Sequence, residues 1–225
     1  MSVALAALLL AAASDGRTYV VDPASSSVAY HVVHPFHGVT GRSSSIEGKA
    51  VVFPEGKVLA MVRVPVASLD SGVGNRDSNV RDAVEEGRFP FLVFKGTAQL
   101  DPAEIASPPF TIQTSMGGEL EMHGVKRAVT VPLEIQLSTN GTGRARGSFQ
   151  VSLAAFGVER PSLLLLRIDD TCRIDVDLVL REARGSPGAA TSGRTIAPRG
   201  SGALARGDPS GREPGAAGSR PRASP

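Results

Sequence analysis

The sequence predicts an all-β protein: an antiparallel sandwich or closed barrel of about eight strands with one short helix. Three observations carry that expectation. Apolar and polar residues alternate with a period of two in seven stretches, and an eighth is expected near Ile46 to Phe53, as in strands with one buried face. Each stretch keeps a mostly polar face, unlike a parallel sheet covered by helices on both sides. Glu55-Gly56, His123-Gly124 and Asn140-Gly141 supply turn signals between stretches. Periodicity alone leaves sandwich and barrel open.

The chain begins with an uncharged apolar run, Val3 to Ala13, followed by Ser14 and Asp15. The run is shorter than the ~20 residues that span a bilayer and suits the middle of a secretory signal, with small residues at Ala11 and Ala13. No Lys or Arg precedes it. Residues 1–14 are read as a signal peptide, which makes the mature protein periplasmic or secreted; a buried terminal element is the alternative. Nothing later in the sequence is apolar for long enough to anchor it as a helix.

The strands follow in order. Val28, Tyr30, Val32 and His34 share one side of the first long strand. Val58, Ala60, Val62, Val64 and Val66 share a face opposite Lys57 and Arg63. Leu92, Phe94, Gly96, Ala98 and Leu100 alternate with Lys95 and Gln99, and Leu120 and Met122 with Glu119 and Glu121. Val129, Val131, Leu133, Ile135 and Leu137 form another face, as do Phe149, Val151 and Leu153. The last strand sets Ile174, Val176, Leu178 and Leu180 against Arg173, Asp175, Asp177 and Arg181. Cys172, the only cysteine, keeps the apolar phase and reads as a small buried residue that has no partner for an internal disulfide.

The longest interruption is Leu69 to Phe94. Asp77 is expected to cap a short helix, with Arg81 and Glu85 at spacings that allow pairing along one exposed face. Val80, Ala83 and Val84 give it a narrow apolar stripe, Gly87 a stop, and Pro90 a bar to its return. The helix reads as a flap on the barrel rim, with Arg76, Asp77, Val80 and Val84 as its rim residues. Arg76 and Asp77 either pin the flap or meet a ligand's polar end.

From Arg184 to Pro225 the chain is almost wholly Gly, Pro, Arg, Ala and Ser, with Ile196 and Leu204 its only large apolar residues. Such a segment cannot bury enough surface to offset the entropy of ordering, so a disordered tail is expected after a domain over residues 18–183. The tail holds seven Arg against Asp208 and Glu213, a net of +5, which leaves the body near −3 in a chain of +2. The alkaline isoelectric point therefore says nothing about the body's ligand. It gives the tail at most a weak contact with anionic surfaces and points to no specific nucleic acid.

Four segments resemble the YceI-like family of exported, lipocalin-like polyisoprenoid-binding proteins. They are Val21-Asp22-Pro23 with the strand Ser27 to His34; Val39-Thr40-Gly41; Asn75-Arg76-Asp77 with Phe89-Pro90 and Phe94; and Gly118 to Arg127 with the strand after it. Together they span roughly Tyr19 to Glu182, in the family's order. The resemblance implies an eight-stranded antiparallel barrel with a short helix near its mouth and an elongated cavity for an isoprenoid, a quinone or a related lipid. It implies no reaction and no other cofactor. The chain departs from the family's pattern at Asn79, where a His is usual, and at Ala83 and Val84, where Phe is common; both changes thin the aromatic surface near the helix.

On that reading the inward residues Tyr30, His34, Val62, Val64, Phe94, Val131, Leu133, Phe149, Val151, Ile174 and Val176 are candidates to line the cavity, with His34 as a head-group donor. Ordinary core packing uses the same face, so a structural barrel with a filled interior is the main alternative. A metal site is disfavoured because His31 and His34 point to opposite faces of a strand and His37 lies beyond Pro35. Neither a G-x-S-x-G elbow nor a phosphate-cradling loop is present to support hydrolysis. A homodimer stays open.

Overall fold

The computed structural model describes residues 16–34, 37–159, 162–163, 166–167 and 169–183, all within a unit that covers Met1–Gly185. The expected signal peptide and tail lie outside the described residues. Among the described residues twelve strands occur in the order β1 Arg17–Val21, β2 Ser27–His34, β3 His37–Ser43, β4 Glu47–Val52, β5 Lys57–Pro65, β6 Phe91–Gln99, β7 Phe110–Met122, β8 Val125–Leu137, β9 Thr142–Ser152, β10 Ser162–Leu163, β11 Leu166–Arg167 and β12 Thr171–Glu182. Helix α1 covers Gly74–Ala83, and a four-residue helix, α2, covers Pro102–Ile105.

The sheet closes. Its order runs β1-β4-β5-β6-β7-β8-β9-β12, and β12 pairs back onto β1 to give an eight-membered antiparallel barrel. Closure removes the sheet edges that a sandwich would have to protect. β1 and β2 share one barrel position: β1 pairs with the end of β12 (Tyr19↔Glu182 to Val21↔Leu180), and β2 with its beginning (Val28↔Val176 to Val32↔Cys172). The break between them is written in the sequence. Pro23 cannot donate to a ladder, the Asp22 carboxylate accepts from the Ala24 amide, and the Ser26 hydroxyl accepts from Val179 N at 2.9 Å. β3 and β4 form the next position in the same divided way, against β2 and β1.

β7 and β8 form the longest hairpin, joined by His123 and Gly124 at φ 53° and 71°, the left-handed pair that a two-residue hairpin loop prefers. β1, β3 and the Phe110–Gly118 half of β7 are strands that alternation did not predict. Val39-Thr40-Gly41 lies inside β3.

One barrel end is plugged. Val66, Val84, Leu120, Met122, Val151, Phe156, Val158 and Cys172 form a buried cluster there, contributed by several strands, the residue after α1 and the turn after β9. Cys172 is 5% exposed, and burial pushes its thiol up to about 11, so it packs as an apolar residue.

Helix α1 differs in detail from the sequence expectation. Val73 is its N-cap and makes no side-chain capping bond, while Asp77 sits in the first turn and bonds outside the helix. The helix stops at Ala83, before Gly87; Glu85, at φ 49°, is the left-handed residue. Arg81 meets Glu86 at 3.7 Å, whereas Glu85 takes Arg88 and His123, each at 3.2 Å. The Glu85–His123 pair draws the chain away from a simple helix-face ladder. Of the apolar stripe, Val84 is buried and Ala83 packs against the plug.

Candidate functional site

Behind the plug the barrel is hollow. A cavity of about 470 Å³ runs along its axis, within the usual range for a small-molecule site. Val58, Ala60, Val62 and Val64 of β5 face Val131, Leu133 and Ile135 of β8 and Ile174, Val176, Leu178 and Leu180 of β12. Each set is one side of a period-two strand, so the alternation that buries the core also builds the wall.

The room comes from small side chains. Ala50 and Ala60 stand at one level on β4 and β5 and line the cavity; Gly96 and Gly118 continue that level on β6 and β7, where the Phe94 ring takes the space. On β9, Gly143 and Ala145 line the cavity in the same way. At one end the wall includes the exposed residues Arg17, Pro54, Pro102 and Ala106; at the other it ends on the buried Val64 and Leu120, backed by the plug. The cavity therefore meets solvent where β1 begins and β12 ends, and the α1 end is filled.

Among the residues singled out by sequence, Val62, Val64, Phe94, Val131, Leu133, Phe149, Ile174 and Val176 lie on the cavity wall. Tyr30 and Val151 share the inward phase but sit at the plugged end, Val151 in the buried cluster and Tyr30 packed on it. Phase fixes the face of a strand and not the height along the barrel, so periodicity could not separate them. His34 closes β2 opposite His37 at that same end; its side chain lies outside the described residues. The sequence reading passed over Tyr19, Phe53, Phe110 and the small residues at Ala50, Ala60 and Ala145. The signal available for the last three was an inward phase occupied by Gly or Ala.

Arg76 and Asp77 both turn to Ser71. Asp77 is 7% exposed and accepts from the Ser71 amide at 3.0 Å and the Ser71 hydroxyl at 2.5 Å, and Arg76 Nε donates to that hydroxyl at 2.9 Å. Those bonds hold the Asp77 carboxyl below its usual 3.8. A depressed carboxyl contributes stability above its unfolded value and loses it as pH falls through the folded one. Asp77→Ala is expected to cost about 1–3 kcal/mol at pH 7, with the gap to wild type narrowing as pH drops below 3.8. Urea unfolding at pH 7 and at pH 3 checks both parts.

Tyr30 presents the opposite case. Its hydroxyl is buried without a hydrogen-bond partner among the described residues, and burial pushes the phenol up to about 12, with the Asp77 charge adding to the rise. The native state thus keeps its proton longer than the unfolded chain, and stability falls as pH climbs from 10 through about 12. Tyr30→Phe removes a polar group that nothing satisfies. It is expected to gain about 1 kcal/mol at pH 7 and to flatten that alkaline loss, as read by denaturant midpoints at pH 7 and 11.

The described histidines are engaged separately. His31 Nε2 lies 2.9 Å from Asp175 on the outer face, and His123 Nδ1 donates to the Phe156 carbonyl at 3.1 Å. Among the described residues no three His, Cys, Asp or Glu side chains converge on a point that could hold a metal. Asp177 pairs with Arg144 at 2.7 Å and Asp175 with Arg173 at 2.8 Å, as partly exposed ion pairs of small energetic weight. Among the described residues no helix is long and apolar enough to cross a membrane.

Against curated proteins the chain has no match. Among solved structures it is similar to a polyisoprenoid binding domain from Saccharophagus degradans, at 18% identity over 73% of this chain and 98% of that one, with a TM-score of 0.61. It is also similar to BcnA from Burkholderia cenocepacia, at 20% identity over 71% and 98% and a TM-score of 0.59. The Campylobacter jejuni YCEI protein follows at 15% identity, 64% and 85%, and 0.53. These likenesses show a shared fold. The YceI-like domain profile matches residues 19–180, from β1 almost to the end of β12, and the chain belongs to the YceI-like domain family.

Proposed function

We propose that the protein binds one long apolar ligand, an isoprenoid, an isoprenoid quinone or a related lipid, inside the barrel and catalyses no reaction on it. The observation that carries this reading is the cavity of about 470 Å³, whose wall is almost wholly aliphatic and aromatic. An apolar chain needs no more than that: each methylene taken from water contributes about 0.8 kcal/mol. The similarity to a polyisoprenoid binding domain supports the same reading. The apolar run at residues 3–13 supports export, so that the ligand is carried or stored in the cell envelope. A filled structural barrel is the weaker reading, because the inward Ala and Gly leave the axis open.

The test is a titration with N-phenyl-1-naphthylamine, whose emission rises in dry surroundings, followed by competition with a prenol. Saturable one-to-one binding that the prenol displaces is the expected result. No emission change at any ratio rejects the carrier.

A further inference from the structure

The barrel's interior is narrowed by Phe94 and Phe149. Each packs both on the plug at the α1 end and on the cluster that surrounds the cavity. The Phe94 ring leans toward the open end, over Gly96 and Gly118, where a Cβ would come within 2.5 and 2.8 Å of it. Those two glycines let the ring take axial space that a longer ligand would otherwise use. The two rings form a partial floor, past which the cavity narrows toward Val64, Leu92 and Leu120.

The volume of the whole cavity sets a length. A dry cavity of ~150 Å³ lined by Leu, Ile and Phe takes up benzene, so a carbon at interior packing needs roughly 25 Å³. By that measure about 470 Å³ takes up roughly 19 carbons, and a forty-carbon polyprenyl chain would need about twice the space. Arg17, a charged side chain on the wall, stands at the open end, where the Arg17 charge lies beside Tyr19. The floor offers no polar group.

We propose that the ligand is a single-chain amphiphile of about 15–20 apolar carbons, three or four isoprene units or an acyl chain of equal length, bound tail-inward. Its polar end rests at the Arg17 rim, and Phe94 and Phe149 set the upper limit of chain length. This rests on the carrier reading above and deepens it.

The experiment competes N-phenyl-1-naphthylamine with prenols of 10, 15, 20, 30 and 40 carbons, and with fatty acids of 12 to 20 carbons, against wild type, Phe149→Ala and Phe94→Leu. In wild type, affinity should climb at least tenfold from 10 to 20 carbons and gain nothing beyond. In Phe149→Ala the break should move roughly six carbons longer, the space of one ring. Phe94→Leu, a milder change, reads the same floor if Phe149→Ala does not fold. The tighter of the two series identifies a prenyl or an acyl source. Affinity that keeps rising to 40 carbons in wild type, or a break unmoved in both folded variants, overturns the length limit and leaves the carrier intact. Failure of every chain to compete rejects the carrier itself.

Discussion

Replacing Phe156 with alanine is expected to cost the barrel about 3–5 kcal/mol, the largest stability effect of any single change considered for this molecule. Phe156 is 1% exposed and fills the plugged end with Val66, Val84, Val158 and Cys172. A closed sheet has a fixed circumference, so the walls around the lost ring cannot fold inward to close the void. Its carbonyl also receives His123, so the ring and the backbone of one short turn hold two chain segments over the end. For a domain of this size the melting temperature should fall by about 10 °C. A loss below about 1 kcal/mol in urea unfolding would mean that the plug is not what closes the barrel.

The second large effect is on ligand and not on fold. Ala60 faces the cavity beside Ala50, a small residue that leaves that side open. Ala60→Phe adds a ring to the cavity wall on the Ala50 side and removes about a third of the space available to a ligand chain. Displacing roughly six carbons forfeits several kcal/mol of transfer free energy, so affinity should drop at least 100-fold. Stability should change by less than about 1.5 kcal/mol, because the ring enters a void and not a packed core. Calorimetric titration and thermal melting on the same sample read the two numbers. Binding retained at full affinity would place the ligand elsewhere.

Much of the architecture was legible because a barrel strand that faces water on one side must alternate. Val129 to Leu137 shows that alternation without interruption, and Val58 to Val66 and Ile174 to Leu180 show it with Leu59, Met61 and Val179 as apolar exceptions; each is a cavity-bearing strand. β1 was missed because it is five residues long, and β3 because Gly38 and Gly41 gave it the look of a turn. The first half of β7 was hidden by Thr114, Ser115, Gly117 and Gly118, small or polar residues of which Gly118 is needed where Phe94 leans across. Asp77 was recognised as important but given a local role. Its bonds to Ser71 follow from how the loop folds back, which spacing along a helix does not encode.

The cavity was legible only in part. Phase chose the inward face correctly for Val62, Val131 and Val176, yet it could not tell Tyr30 and Val151, at the plugged height, from the residues on the wall. Height along the barrel depends on register, and register is set by pairings such as Ala60 with Gly96 that no single strand reveals. The open end also lies opposite α1, near Pro54, Pro102 and Phe110, where the sequence offers ordinary turn residues.

Mass spectrometry of the purified protein under native conditions, repeated after organic extraction, addresses the central claim most directly. The account predicts one lipid-sized mass per chain, lost on extraction and restored when a prenol of about 20 carbons is added back. A single unliganded mass that persists through addition of prenols, isoprenoid quinones and fatty acids would contradict it and leave a barrel whose cavity has no cargo.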